Sequence, residues 1–373
     1  MAFSLKHYTA PDFSDARFAE APDVCLSPAP ADGVAPEGYH AMSIYPEYFK
    51  VGGEWLFALE SRMDCVPVVK DGPDLCGRGK RHIEVIEFRH LAKGDLVVCG
   101  RTEDASEGIY LWAEGFVEEN EQAETFAFRG NRSRETAFSR DYDEMYELLR
   151  HEKDNGYILW VLGPAFSFDH DARDAFSNLI ANGYVHGLLA GNALATHDLE
   201  GAYLRTALGQ DIYTQKNMPN GHYNHLDLLN RVRYHGDIPT FIEKEHIDNG
   251  IIYNCVKHEV PFVLAGSIRD DGPLPEVYAD VYAAQDAMRA HARRATTVIC
   301  MATMLHTIAV GNMTPSYRVL PDGTVRQVYF YCVDISEFMV NKLADRGSLS
   351  SRGIVTNVQD FIVNIAKGLN VMR

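Results

Sequence analysis

The pattern of apolar and polar positions changes at about residue 141 of this 373-residue chain. Downstream, short apolar runs with few charges alternate with stretches of helical periodicity. Apolar strands with helices between them are typical of a parallel sheet that is covered on both faces. The predicted strands are Tyr157–Leu162, Gly187–Ala190, Pro261–Ala265, Thr297–Ala302 and Val328–Val333, and the predicted helices include Ala172–Asn182, His225–His235 and Tyr278–Arg294.

The upstream part has a different rhythm. Short β-type runs at 54–59, 82–88 and 95–99 are separated by Gly and Asp turns. The first segment, about 40 residues rich in Pro, Ala and Asp, predicts an irregular lead-in. We therefore expect a small β-rich domain over residues 1–140, followed by an α/β domain over residues 141–373.

Composition excludes several classes of partner. The formal net charge of −17 argues against nucleic acid or an anionic membrane surface. The seven cysteines include no CxxC pair, which indicates a reducing compartment without a disulfide framework. No apolar run approaches the roughly 20 residues of a membrane span, and the first residues lack a secretory apolar region. These features predict a cytoplasmic protein with no membrane or nucleic-acid partner.

Small and polar residues follow the predicted strands, where ligands of open parallel sheets bind. Small residues before a helix let phosphate oxygens approach backbone N–H groups, and a carboxylate such as Asp334 can hold ribose hydroxyls. The alternative is that these exits are only tight turns, and the standard G-x-G-x-x-G fingerprint is absent. The predicted cofactor contacts are Gly163, Pro164, Ala190, Gly191, Asn192, Ala193, His197, Asp198, Thr303, Asn312, Asp334 and Ile335.

The loop at 267–273 concentrates charge directly after an apolar strand. It contains Arg269, Asp270 and Asp271, which either neutralise one another or face a ligand, because a buried unpaired charge is costly. A structural ion pair is the alternative. Further titratable groups near strand ends are Lys257, His306, His197, Asp198 and Glu200, and the last three are the alternative place for the catalytic groups if the loop is structural. A metal is not expected, because His222 and His225 have no third ligand nearby.

Several of these exits resemble one known family. The runs are LLAGNALATHDLE (188–200), GHYNHL (221–226), CVKHEVPFVLAGSIRDDGPLPEVYADVYAAQDAMR (255–289), ATMLHTIAVGNM (302–313) and CVDISEFMVNKLADRGS (332–348). They resemble the archaeal- and cyanobacterial-type ornithine cyclodeaminases, also labelled the LOR/SDH-related conserved region, with a more distant likeness to deoxyhypusine synthase. The resemblance implies a Rossmann-like, deoxyhypusine synthase-like domain with bound NAD that converts L-ornithine to L-proline and ammonia.

Two segments depart from the family pattern. After Gly163-Pro164-Ala165 the family continues Val-Val-His-Thr-Gly, whereas this chain has Phe166-Ser167-Phe168-Asp169-His170. Residues 205–209 read Arg-Thr-Ala-Leu-Gly where Gly-Thr-Ser-Leu-Gly is expected. Another difference is the additional stretch Ser316–Gln327 before the predicted last strand.

With a small amino acid as the substrate, each of the charged residues would have a different role. We expect Arg269 to clamp the carboxylate, Asp270 or Asp271 to hold the distal ammonium, and Lys257 or His306 to move protons. We also expect a homo-oligomer, a dimer or a tetramer, in which the N-terminal domain supplies part of a neighbour's pocket. The rival readings are an amino-acid or opine-type dehydrogenase, an aminobutyl transferase and a non-catalytic NAD-binding protein.

Overall fold

The computed structural model describes residues 5–116, 139–270, 272–336 and 348–372. It confirms the predicted fold class, because a six-stranded parallel sheet with flanking helices follows a smaller antiparallel β region. None of the helices in those ranges is long and apolar enough to cross a bilayer. The strands are β1 Cys25–Pro28, β2 Glu47–Val51, β3 Glu54–Phe57, β4 Cys65–Asp71, β5 Arg81–Glu87, β6 Leu96–Cys99, β7 Ile109–Leu111, β8 Ile158–Leu162, β9 Gly187–Gly191, β10 Thr206–Ala207, β11 Gln210–Asp211, β12 Phe262–Ala265, β13 Thr297–Met301, β14 Tyr317–Val319, β15 Val325–Gln327, β16 Tyr329–Asp334 and β17 Ser351–Val355. The helices are α1 Ala16–Glu20, α2 Ser139–Asn155, α3 His170–Ala181, α4 Asn192–Leu204, α5 Asn224–His235, α6 Ile238–Lys244, α7 Ile251–Lys257, α8 Val281–Ala292, α9 Met304–Met313 and α10 Val358–Gly368, with short 3-10 helices at Phe88–His90, Pro164–Phe168 and Gly221–Tyr223.

The large sheet has the strand order β12-β9-β8-β13-β16-β17, and every pairing in it is parallel. Its central strands are buried on both faces, which is why they read as continuous apolar runs. The five predicted strands are confirmed to within a residue or two. The expectation that Val328–Val333 is the last strand is wrong, because β17 pairs with β16 at the sheet edge.

Alternate residues of β8 point to opposite faces of the sheet and build two apolar layers. Trp160 enters the larger layer with residues of α3, α4 and α10, while Val161 enters a second layer with residues of α8 and α9. Both side chains are completely buried. This packing fixes the backbone at the carboxyl ends of the strands, where ligands of such sheets bind.

The N-terminal region contains two antiparallel sheets, with the strand orders β1-β6-β4-β5 and β3-β2-β7. The irregular lead-in predicted for the first residues is wrong in part, because α1 and β1 lie within it. Asp15 caps α1 through its side chain, and Phe18 of that helix is 1% exposed and packs edge-on against Trp55. One buried aromatic side chain therefore orders a segment whose composition favours loops.

The additional stretch Ser316–Gln327 forms the hairpin β14–β15, which connects the two regions. The Tyr317 hydroxyl donates to the Ala58 carbonyl at 2.7 Å, and Val319 N–H donates to the Leu59 carbonyl at 3.2 Å. Buried ion pairs add to this contact: Arg289 of α8 lies 2.5 Å from the Glu87 carboxylate of β5. The β region is thus held against the helices of the large sheet.

Candidate active site

The chain reverses direction across the large sheet between β8 and β13. From β8 it continues to β9 and β12 on one side, and it then crosses to β13, β16 and β17 on the other side. Ligands of open α/β sheets bind in the crevice at such a switch point. Here the crevice begins at Gly163, whose N–H donates to the Met301 carbonyl at 2.9 Å. A Cβ at Gly163 would collide with the Ala302 carbonyl oxygen, so only glycine allows the two exits to touch.

Two helices that begin at this edge leave their first-turn amides without a side-chain cap. They are α4, preceded by Gly191, and α9, preceded by Thr303. In contrast, α3, α8 and α10 are capped by the side chains of Asp169, Asp280 and Asn357. The uncapped helices follow the strands on either side of β8, and free N–H groups with a positive helix end favour a bound anion.

His306 brings an imidazole to the middle of this edge. It lies in the first turn of α9, and its Cε1 is 3.3 Å from the position that a Cβ on Gly191 would occupy. Burial lowers the pKa of His306 below its ordinary value. The imidazole makes no hydrogen bond to any residue that the structure describes, so its ring nitrogens are available to a ligand.

Asp334 and Ile335 lie at the next exit, where β16 ends beside β13. One carboxylate oxygen of Asp334 accepts from Ser336 N–H at 2.8 Å, and Ile335 is 75% exposed. Within the described ranges, the second carboxylate oxygen of Asp334 has no hydrogen-bond partner. Pro164 begins the short helix after Gly163, and Ala193 lies half-buried in the first turn of α4. These positions remain compatible with the predicted cofactor contacts.

The charged loop after β12 is more exposed than the sequence argument assumed. Arg269 is exposed and forms no ion pair with the described residues, and the Asp270 carboxylate accepts from Ser267 N–H at 2.8 Å. Asp271 lies outside the described residues. The premise that this loop buries its charge is therefore wrong for Arg269, which is exposed to solvent. Asn192, 7% exposed, accepts from Leu274 N–H at 3.0 Å and holds the loop beside the β9 exit.

The prediction that Asp198 contacts a cofactor is not supported by its surroundings. Its side chain is completely buried and accepts from Arg173 Nε at 2.8 Å. It also accepts from the backbone N–H groups of Ile251 and Ile252, at 3.0 and 2.8 Å, at the start of α7. Asp198 therefore links α3, α4 and α7 and has a structural role.

Two other predicted residues lie away from the crevice, and a third has a buried side chain. Lys257 ends α7 and precedes β12, so it lies towards the amino ends of the strands, exposed and 5.3 Å from the Tyr253 ring centroid. Asn312 is in the last turn of α9, about 12 Å along the helix from the first turn. Ala190 is completely buried in the core, so only its backbone could contact a ligand. Lys257 is close in sequence to the apolar run of β12, but the sequence did not show that it lies at the amino end of that strand.

His197 has partners that the predicted set of site residues omitted. Its Nδ1 is 3.0 Å from Oε2 of Glu200, which is completely buried. The Phe168 ring packs edge-on against the imidazole at 5.4 Å between centroids, and the His225 ring is 6.4 Å away. The i, i+3 spacing of His197 and Glu200 within a predicted strand exit is the signal that could have identified this pair.

The open parallel sheet with a ligand crevice at its switch point defines a Rossmann-type α/β protein. Residues 143–365 match the family model described as arginine dihydrolase ArgZ-like, C-terminal, Rossmann fold. The ornithine cyclodeaminase of Archaeoglobus fulgidus is 40% identical over 353 residues, which span 93% of this chain and 79% of that protein. The chain belongs to the ornithine cyclodeaminase family with an ArgZ-like Rossmann module, which confirms the resemblance inferred from its motifs.

Solved structures agree with this assignment. A conserved LOR/SDH protein from Methanococcus maripaludis is 35% identical, with a TM-score of 0.80 over 94% of this chain and 98% of that chain. AgrE in a ternary complex with ornithine and NAD+ is 33% identical, with a TM-score of 0.58. The match covers 94% of this chain and 46% of AgrE, so AgrE contains a large additional part.

Proposed function

We propose that this protein is an NAD-dependent ornithine cyclodeaminase that converts L-ornithine to L-proline and ammonia. The observation that carries the proposal is the crevice at Gly163 and Ala302, which has an uncapped helix start on each side and His306 beside Gly191. The AgrE complex supports it, because a relative of the same fold binds both NAD+ and ornithine.

The residues present fit a dinucleotide. The free amides at the starts of α4 and α9 are donors for a pyrophosphate, and the second carboxylate oxygen of Asp334 is an acceptor for ribose hydroxyls. Gly163 and Gly191 keep the edge clear of side chains. When bound, NAD supplies a hydride acceptor that takes the Cα hydride of the substrate and later returns it.

The protein's own groups would place the amino acid and move its protons. The unpaired guanidinium of Arg269 suits a bidentate contact with the substrate carboxylate. Asp270 has one oxygen engaged within its own loop and would use the other on the distal ammonium. His306, whose pKa is lowered by burial, is unprotonated at neutral pH and would take a proton from the α-ammonium.

We further propose that residues 1–140 are a separate domain and that the protein is a cytoplasmic homo-oligomer. The contacts of β14–β15 and Arg289 with the β region support a fixed placement of that domain. Light scattering of the purified protein would measure the oligomer. A monomer at all concentrations would remove the proposal that a neighbour completes the pocket.

One incubation separates the rival activities. L-ornithine and NAD are added to the protein, and ammonia, proline and the absorbance of NADH are followed together. The proposed enzyme releases ammonia and proline in equal amounts without accumulating NADH. NADH that accumulates with the product would instead indicate a dehydrogenase, and NAD binding without any product would indicate a non-catalytic protein.

A further inference from the structure

We propose that His197, oriented by Glu200, is a second proton-carrying catalytic residue and that it serves the ring-closing step. This inference rests on the proposed function. In that step the side-chain nitrogen must lose a proton before it bonds to the substrate's imine carbon, and the original α-nitrogen must gain a proton before its bond to that carbon breaks. After that first proton has gone to solvent and the amine has bonded to the carbon, the ring nitrogen still carries two protons. His197 would take one of these at Nε2 and deliver it to the α-nitrogen, which leaves as ammonia while the ring C=N bond forms, with no redox change.

The hydrogen bonds of Glu200 determine which nitrogen of His197 is available. Glu200 is completely buried and accepts from Thr206 Oγ1 at 2.7 Å and from the N–H groups of Leu208 and Gly209 at 3.2 and 3.1 Å. Because three donors already point at its oxygens, Glu200 is the acceptor in the contact with His197 and Nδ1 is the donor. In the neutral imidazole Nε2 then carries the lone pair, and it has no hydrogen-bond partner among the residues described.

His197 packs against the segment that follows the β8 exit, through the ring of Phe168. It lies six residues after Gly191, about 9 Å along α4, and helical side chains lean back towards the helix start. The groups that face it are Phe168 from the segment after β8, His225 from α5 and Glu200 from its own helix. Phe168 is apolar, so His225 is the one further titratable ring in this set.

A structural role for Glu200 does not explain why the second ring nitrogen of His197 has no partner among the described residues. Glu200 could order the turn at 206–209 without His197, because three other donors already bind its two oxygens. That reading gives no reason for an imidazole that is 8% exposed with its second nitrogen unpaired. A carboxylate that fixes one nitrogen of an imidazole and leaves the other available is the arrangement that general acid–base catalysis uses.

The test is His197→Ala in the full-length protein, assayed with and without added imidazole. Alanine suits a helix interior, and Glu200 keeps three donors, so the variant should fold. We expect kcat for proline formation to fall by about 10²–10⁴-fold, with NAD affinity unchanged and activity partly restored by imidazole. His222→Gln, which changes an exposed histidine outside the proposed machinery, is the matched control and should behave as wild type.

Three assay results would overturn the proposal. An active wild type beside an equally active His197→Ala, or a loss that imidazole does not relieve, removes the proton role and leaves the cyclodeaminase assignment intact. A wild type that releases no ammonia from ornithine refutes both. Independently of turnover, ¹⁵N spectra of the imidazoles should show neutral His197 with its proton on Nδ1, and the Nε2-protonated tautomer would contradict the geometry.

Discussion

Replacement of Asp198 by Asn tests whether this residue stabilises the fold or binds the cofactor. The change preserves size and removes the charge that pairs with Arg173, which is 3% exposed. An amide oxygen can still accept from Ile251 or Ile252, but the amide nitrogen would then face another donor. At least one charge-assisted hydrogen bond is lost, and a buried guanidinium is left without its counter-charge.

The expected cost follows from burial. Removing one partner of a buried ion pair typically costs about 3–5 kcal/mol, so the free energy of unfolding of Asp198→Asn should fall by about that amount. Urea denaturation followed by circular dichroism measures it. The control is Asp270→Asn in the exposed loop, which should change stability by no more than about 0.5 kcal/mol.

The affinity for NAD distinguishes a structural role of Asp198 from a role in cofactor binding. Because the Asp198 side chain is completely buried and fully used by α3 and α7, the folded variant should bind NAD as wild type does. Equilibrium dialysis, at urea concentrations too low to unfold the variant, would measure its affinity for NAD. A variant of unchanged stability that binds NAD ten-fold more weakly would refute the structural role and restore the cofactor role.

Three further outcomes follow from the same geometry. Gly163→Ala should destabilise the protein by about 1–3 kcal/mol in urea denaturation, because its methyl group would meet the Ala302 carbonyl; an equally stable variant would refute the close contact. Burial lowers the pKa values of His186, His291 and His306 in the folded protein. Below the ordinary histidine pKa of about 6.5, the unfolded chain therefore binds more protons than the folded chain does. The melting temperature should therefore fall as the pH is lowered through that value, and a melting temperature that rises would contradict the burial. Asp334→Ala should weaken NAD binding by about 1–3 kcal/mol in calorimetry, and normal binding would place the ribose elsewhere.

The strands that could be predicted best from the sequence are those with apolar surroundings on both faces. β8 and β13 are buried on both faces, so their apolar runs could be recognised without knowledge of their neighbours. The edge strand β17 was missed because Ser351, Arg352 and Gly353 are only half-buried and show no apolar run. The exits at Gly163, Gly191 and Asp334 could be predicted because they directly follow such strands.

The errors at the candidate site concern partners that are distant in sequence. Asp198 was assigned to a cofactor because its charge follows a strand exit, whereas its partner Arg173 is 25 residues away on another helix. The burial assumed for Arg269 depended on the path of the loop, which the sequence does not specify. His197 and Glu200 are three residues apart, and their pairing was accessible to sequence analysis once a helix was assigned there.

The central claim is that the hydride is borrowed from ornithine and returned to its cyclised product. L-ornithine deuterated at Cα, supplied with unlabelled NAD and the wild-type protein, tests this most directly by mass spectrometry of the proline. The account predicts proline that retains the deuterium at carbon 2, with one equivalent of ammonia and no accumulated NADH. Proline without deuterium, or deuterium that accumulates in NADH, would contradict it.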